Sequence, residues 1–177
     1  MKSKVISLSA ISAALIAVSL TIGAYFEFAD LFAVVIASAF VILPIYLKSY
    51  IGAVMAYLAG GVIAFLCSGF NILSLVFPTY FVFSGIYPIV KIKLQEKSFN
   101  KYLSFVIGLI WCLITVYGAY FYYTLIIGDL FSDLPIWVND YILFIIGGCG
   151  IVFFFVFDRF ISVIKRVVDI YLQRIIK

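Results

Sequence analysis

The chain has 177 residues, 67% of them hydrophobic and only 11% charged, with a formal net charge of +4 and a mean hydropathy of +1.27. Soluble domains are about a quarter charged, and this chain has too little polar side chain to cover a water-soluble globule of its size. Soluble enzymes and nucleic-acid readers, which need a clustered basic face on a soluble fold, are therefore excluded.

Apolar stretches of about eighteen residues or more predict membrane-spanning helices rather than the shorter alternating strands of a β-barrel. The first, residues 5–26, follows MKSK; its apolar core exceeds that of a signal peptide and the chain stays membrane-like after it, so it is read as a span. The second and third, residues 31–47 and 50–68, are separated only by Lys48 and Ser49. The fourth, residues 72–90, carries Pro78 and Pro88. Proline frees a carbonyl and kinks a helix, and in a membrane neighbouring groups must satisfy what is freed. The fifth, residues 102–127, is long for a hydrocarbon core of about 30 Å and predicts tilt or protrusion. The sixth covers residues 136–157.

Beyond it, residues 159–177 form an amphipathic tail. Asp158, Ser162, Lys165, Asp169, Gln173 and Lys177 recur on one face, while Ile161, Ile164, Val168, Tyr171, Leu172 and Ile175 fill another. This helix is expected to lie on an anionic leaflet, or to dock onto a partner or onto the neighbouring loops. The chain thus divides into a six-span transmembrane domain, 1–158, and a tail helix, 159–177.

Charge tests the count of six. Lys2, Lys4, Lys48, the group Lys91, Lys93, Lys97 and Lys101, and the tail from Arg159 onward all fall on one side. Glu27, Asp30, Asp129, Asp133 and Asp140 fall on the other, with no lysine or arginine among them. Five or seven spans would scramble this segregation. The positive-inside rule makes the basic side cytoplasmic, with both termini inside, and makes Lys91–Lys101 the longest cytoplasmic loop. On this reading no lysine or arginine is buried in a span, and the spans lack the buried acids of a proton or sodium relay.

Small residues recur at helical spacing: Ala10, Ala14 and Ala17, with Ser7 and Ala13 beside them, then Ala33 and Ala37, then Ala56, Gly60 and Ala64. Such spacing lets helices approach closely, within the chain or against another protein. Polar and aromatic candidates for a ligand cleft are Glu27, Asp30 and Asn71 toward the acidic side, Thr79, Tyr80 and Ser84 deeper in the fourth span, and on the fifth Trp111 in its inner half with Tyr117 and Tyr120 beyond it. Tyr122 and Tyr123 fit an aromatic belt at headgroup depth. The absence of basic residues on that side favours a neutral, aromatic or cationic solute. Cys67, Cys112 and Cys149 read as small buried hydrophobes, and histidine is absent. No metal site, cofactor or catalytic group is expected, and no nucleophile–base pair can be assembled. Without a Walker A motif, energy for any transport would come from another subunit.

A small, very apolar six-helix chain with both ends on one side, a basic amino terminus and the alanine-rich stretch SLSAISAALIA resembles the S components. These are the substrate-binding membrane subunits of energy-coupling factor (ECF) transporters for vitamins and metals in bacterial cell membranes. GIYPIVK, residues 85–91, is also similar to segments of small bacterial membrane proteins of that layout. The resemblance implies that Ala10 and Ala14 contact a transmembrane coupling subunit driven by two ATPases. It also implies an outward pocket formed by the later helices, with Glu27 and Asp30 at its lid and Tyr80, Trp111, Tyr117 and Tyr120 near it. The alternative is a non-transport scaffold or regulatory protein that uses its basic tail for partner or anionic-lipid association; a small channel or secondary carrier is a further reading.

Overall fold

The computed structural model describes residues 2–71, 74–97, 100–127 and 136–176. Asp129 and Asp133 lie outside the described residues, as do the side chains of Glu27 and Asp140. The fold is all-α. Helix α1 spans Lys2–Tyr25, and a 3-10 turn at Glu27–Ala29 leads into α2, Asp30–Tyr46. Helix α3 spans Tyr50–Cys67; the fourth pass consists of α4 (Val76–Thr79), a π-helical turn (Tyr80–Ser84) and α5 (Tyr87–Glu96). Helices α6, Lys101–Ile127, and α7, Ile136–Ile176, complete six passes.

Four of these helices contain segments long and apolar enough to cross a bilayer: Ser3–Tyr25, Tyr50–Cys67, Lys101–Ile126 and Tyr141–Ile170. Helix α2 is apolar but shorter, at 17 residues, or about 26 Å of rise. Large apolar side chains such as Ile51, Leu125 and Phe144 point outward, each more than three-quarters exposed. Hydrocarbon is the solvent that accommodates such faces. The chain is a multi-pass membrane protein.

The first three helices form the tightest part of the bundle, with α1 packed against both α2 and α3. Glycine makes the α1–α3 approach possible. A Cβ on Gly60 would stand 2.7 Å from Ile16 Cβ and 2.9 Å from the Ala13 carbonyl. The small residues therefore sort into two sets. Ala13, Ala17, Ala33, Ala37, Ala56 and Ala64 are buried between helices, whereas Ala10 and Ala14 are exposed on the outer face of α1.

The fourth pass breaks where the prolines require it. An α-helix continued to Pro88 would drive the proline ring into the Ser84 carbonyl. Instead the chain widens into the π turn, where Gly85 N donates to Tyr80 O at 2.9 Å, and α5 restarts with Pro88 in its first turn. There the missing N–H costs no helical bond. The wider turn takes Gly85 N away from its α-helical acceptor, Phe81 O, which accepts the Tyr57 hydroxyl at 2.8 Å instead. A side chain from α3 thus satisfies the carbonyl that the bulge exposes.

Helix α7 runs through Asp158 without a break and has 41 residues, about 60 Å of rise and twice a hydrocarbon core. The tail is continuous with the last pass. Its stripe of Asp158, Ser162, Lys165 and Asp169 turns toward α2 and α5, while Arg159, Val163, Arg166, Val167 and Ile170 are exposed.

The α1–α3 seam gives a direct prediction. Gly60→Leu overfills it and lowers stability by roughly 1–3 kcal/mol or more, whereas Ala14→Leu, on the open face, leaves stability within about 0.5 kcal/mol of the parent. Thermal unfolding of both variants in the same detergent checks this ordering.

Candidate functional site

Two regions combine space with chemistry, one at each end of the bundle. The end carrying the acidic first connection has a cleft of about 390 Å³ between α2, α4, α6 and α7. Leu31 and Leu75 form its rim, Thr79 and Thr115 its polar wall, and Tyr120, Tyr123, Cys149 and Phe153 the remainder. Asp30 opens α2, where a carboxylate favours the positive end of the helix dipole, and lies close enough to Tyr123 to act on it electrostatically. A second cleft, about 570 Å³, lies on the other flank of α6 between Phe77, Phe81 and Tyr122. Thr115 and Ala119 line both. Helix α6 is therefore held away from the tight α1–α3 unit in its acidic-end half, with apolar space on either side.

The structure brings together some of the residues singled out from sequence and separates others. Tyr120 stands on the cleft wall, and Asp30 adjoins the rim residue Leu31. Tyr80 is sealed in the core, fully buried, its hydroxyl donating to Tyr57 O at 3.4 Å and its ring against Tyr57 and Phe81. Trp111 packs edge-on to Phe83, with ring centroids 6.0 Å apart. Tyr117 ties α6 to α7 by donating to Leu143 O at 3.1 Å, an approach that Gly147 leaves room for. Asn71 follows α3, half-buried, and its carbonyl accepts Ser74 N at 3.3 Å. Glu27 opens the 3-10 turn. Sequence reasoning gave Tyr123 to the aromatic belt and passed over Leu75, Thr115 and Phe153. Only the pairing of α6 with α4 and α7 identifies these as one wall.

The basic end corrects the sequence reading more sharply. Helix α5 continues through Glu96, so Lys91 and Lys93 are helical residues rather than loop residues. Lys91 is buried, 7% exposed. Its ammonium donates to Asp158 Oδ1 at 2.6 Å, to the Asp158 carbonyl at 2.8 Å and to Ser162 Oγ at 2.7 Å. The Tyr87 hydroxyl donates to the same carboxylate oxygen. Three ammonium hydrogens thus meet three acceptors. A buried charge is tolerated only when paired and hydrogen-bonded in this way.

Aromatic packing encloses the pair. Tyr87 stacks on Phe83, with centroids 5.1 Å apart, and meets Phe154 and Phe157 of α7 at 5.6 and 5.8 Å. Further out, Lys165 Nζ donates to Gln95 Oε1 at 3.3 Å, and the Tyr50 hydroxyl donates to Glu96. These contacts place the start of α3, the end of α5 and the second half of α7 at one end. The Ser9 hydroxyl against Gly52 brings the first turns of α1 to that end too, while the Tyr25 hydroxyl donating to Cys67 O at 3.1 Å marks the opposite one. Among the described residues, all lysines and arginines belong to the first of these ends.

No protein-family model, curated protein or solved structure matches the chain.

Removing one partner of the buried pair strands the other charge. Lys91→Met or Asp158→Asn alone is expected to cost about 3–5 kcal/mol. Lys91→Met with Asp158→Leu, which removes both charges, recovers most of that loss. A double-mutant cycle read by thermal unfolding in detergent checks the coupling.

Proposed function

We propose that the protein is a membrane-embedded solute-binding subunit, S component-like, which takes a neutral, aromatic or cationic small solute from outside the cell. The observation that carries this reading is the apolar cleft between α2, α4, α6 and α7. It is built largely by the later passes, and its rim lies beside the connection that follows α1. Its volume of about 390 Å³ suits a small-molecule site, and hydroxyls in an apolar wall supply orientation. Among the described residues no lysine or arginine lines it, so an anionic solute would find no charged partner among them.

The exposed Ala10 and Ala14 add support from the other side of the bundle. Their flat face is free of internal packing and suits close approach by a helix of a coupling subunit. Two ATPases attached to that subunit would supply the energy. By the positive-inside rule the basic end is cytoplasmic, so both termini lie inside a bacterial cell membrane and the cleft faces out. The protein itself carries out no catalytic step and needs no cofactor on this reading.

Two variants separate the halves of the proposal. Ala119→Trp, at a position that lines both clefts, obstructs the space beside α6 and removes a co-purifying small molecule detected by native mass spectrometry, while Ala14→Leu leaves it bound. Ala14→Leu instead strips the coupling subunit and its ATPases from a mild-detergent preparation. Full retention of the partners by Ala14→Leu would count against the interface.

A second reading, a scaffold or regulatory protein acting through its tail, is favoured by the outward stripe of Arg159, Val163, Arg166, Val167 and Ile170 on α7. Basic and apolar residues on one face suit an anionic membrane surface or a partner helix. Replacing Arg159 and Arg166 with Gln abolishes partner or lipid association on this reading, yet leaves it unchanged on the first. Pull-down from membranes distinguishes the two.

A further inference from the structure

We propose that the cavity between α5, α6 and α7 at the basic end binds the phosphate headgroup of an anionic phospholipid. The cavity encloses about 420 Å³ and has walls of two kinds. Lys91, Gln95, Lys101 and Ser104, with Asp158 and Ser162 beside Lys91, supply a polar wall, and Tyr87, Tyr102 and Phe105 an aromatic one. Lys91 is saturated by Asp158 and Ser162, so the pair presents no net charge to the space.

Lys101 supplies the net charge. The Asp158 carboxylate is taken by Lys91, and no ion pair joins Lys101 to a carboxylate among the described residues. Lys101 and Lys165 both act electrostatically on Lys91; Lys165 shares its surroundings with Glu96 and Asp169, so Lys101 is the cation that the cavity retains. Gln95 Oε1 accepts from Lys165, which leaves the Gln95 amide nitrogen as a donor. With the Ser104 hydroxyl and the Lys101 ammonium, it makes a donor set suited to phosphate oxygens.

The aromatic wall selects an amphiphile over free phosphate. Tyr102 is 83% exposed and Leu103 and Val106 are about half exposed, so the first turns of α6 lead from the polar cavity onto a lipid-facing surface. An anionic head at Lys101 would leave its acyl chains along that surface. Basic pockets between spans at a bilayer interface recognise anionic lipids in this way. The inference stands apart from the proposed transport role, since it requires neither a solute nor a coupling subunit.

Purified full-length protein in a neutral detergent, titrated with phosphatidylglycerol, phosphatidylcholine or inorganic phosphate and read by native mass spectrometry, tests it. Phosphatidylglycerol is expected to be retained and phosphatidylcholine not. Lys101→Ala weakens retention about fivefold, the loss expected for one lysine at an anionic surface. Lys4→Ala, at the same end but remote from the cavity, leaves retention unchanged. Equal retention of both lipids overturns the headgroup assignment, an equal loss in Lys4→Ala overturns the site, and displacement by equimolar inorganic phosphate overturns the lipid in favour of a free anion.

Discussion

The architecture depends on how one buried charge is satisfied. Lys91 sits midway along α5, past the break in the fourth pass, and in an apolar surrounding its ammonium is costly unless fully paired. Asp158 and Ser162, one turn apart on α7, take all three of its hydrogens, and the Tyr87 hydroxyl completes the carboxylate. That network fixes the rotation of α7 about its own axis. With Asp158 and Ser162 inward, Lys165 and Asp169 follow toward α2 and α5 at helical spacing, and Val163, Val167 and Ile170 are turned outward.

The molecule has two unlike halves. Helices α1–α3 meet through small residues and glycines, a geometry that leaves little space between them. The fourth pass is interrupted by the π turn, and α6 and α7 meet it largely through aromatic side chains, with Gly108 of α6 making room for the Tyr87 and Phe154 rings. Aromatic contacts hold the basic-end half of that unit through Phe83, Tyr87, Phe154 and Phe157. Toward the acidic end the aromatic cluster gives out and apolar clefts appear on both flanks of α6. A tightly packed half thus stands beside one that leaves apolar space at its acidic end.

Much of this was legible in the sequence. Apolar runs and their charged boundaries give six passes, and the prolines locate the break in the fourth. The segregation of lysines from the acids of the first connection anticipates which helix ends meet. Other features were hidden for physical reasons. The alternation of lysine with apolar residues in KIKLQEK resembles a polar connection, and only the partner on α7 makes burial of Lys91 affordable. Asp158 and Arg159 look like a boundary, yet both are compatible with a helix interior and nothing there breaks the chain. Cleft walls drawn from four helices leave no periodic signal in any one of them, which is why Tyr80, attractive by type, is a core residue while Tyr123 lines the space.

The central claim, that six passes gather the basic ends on one face and the first acidic connection on the other, can be measured directly. With Cys67, Cys112 and Cys149 replaced by Ala, single cysteines at Phe28, Lys97 and Arg166 are labelled in sealed vesicles of one orientation with a membrane-impermeant maleimide. The account predicts that positions 97 and 166 react from the same side and position 28 only from the opposite side. Labelling of positions 28 and 97 from one side, or of 97 and 166 from opposite sides, would contradict it.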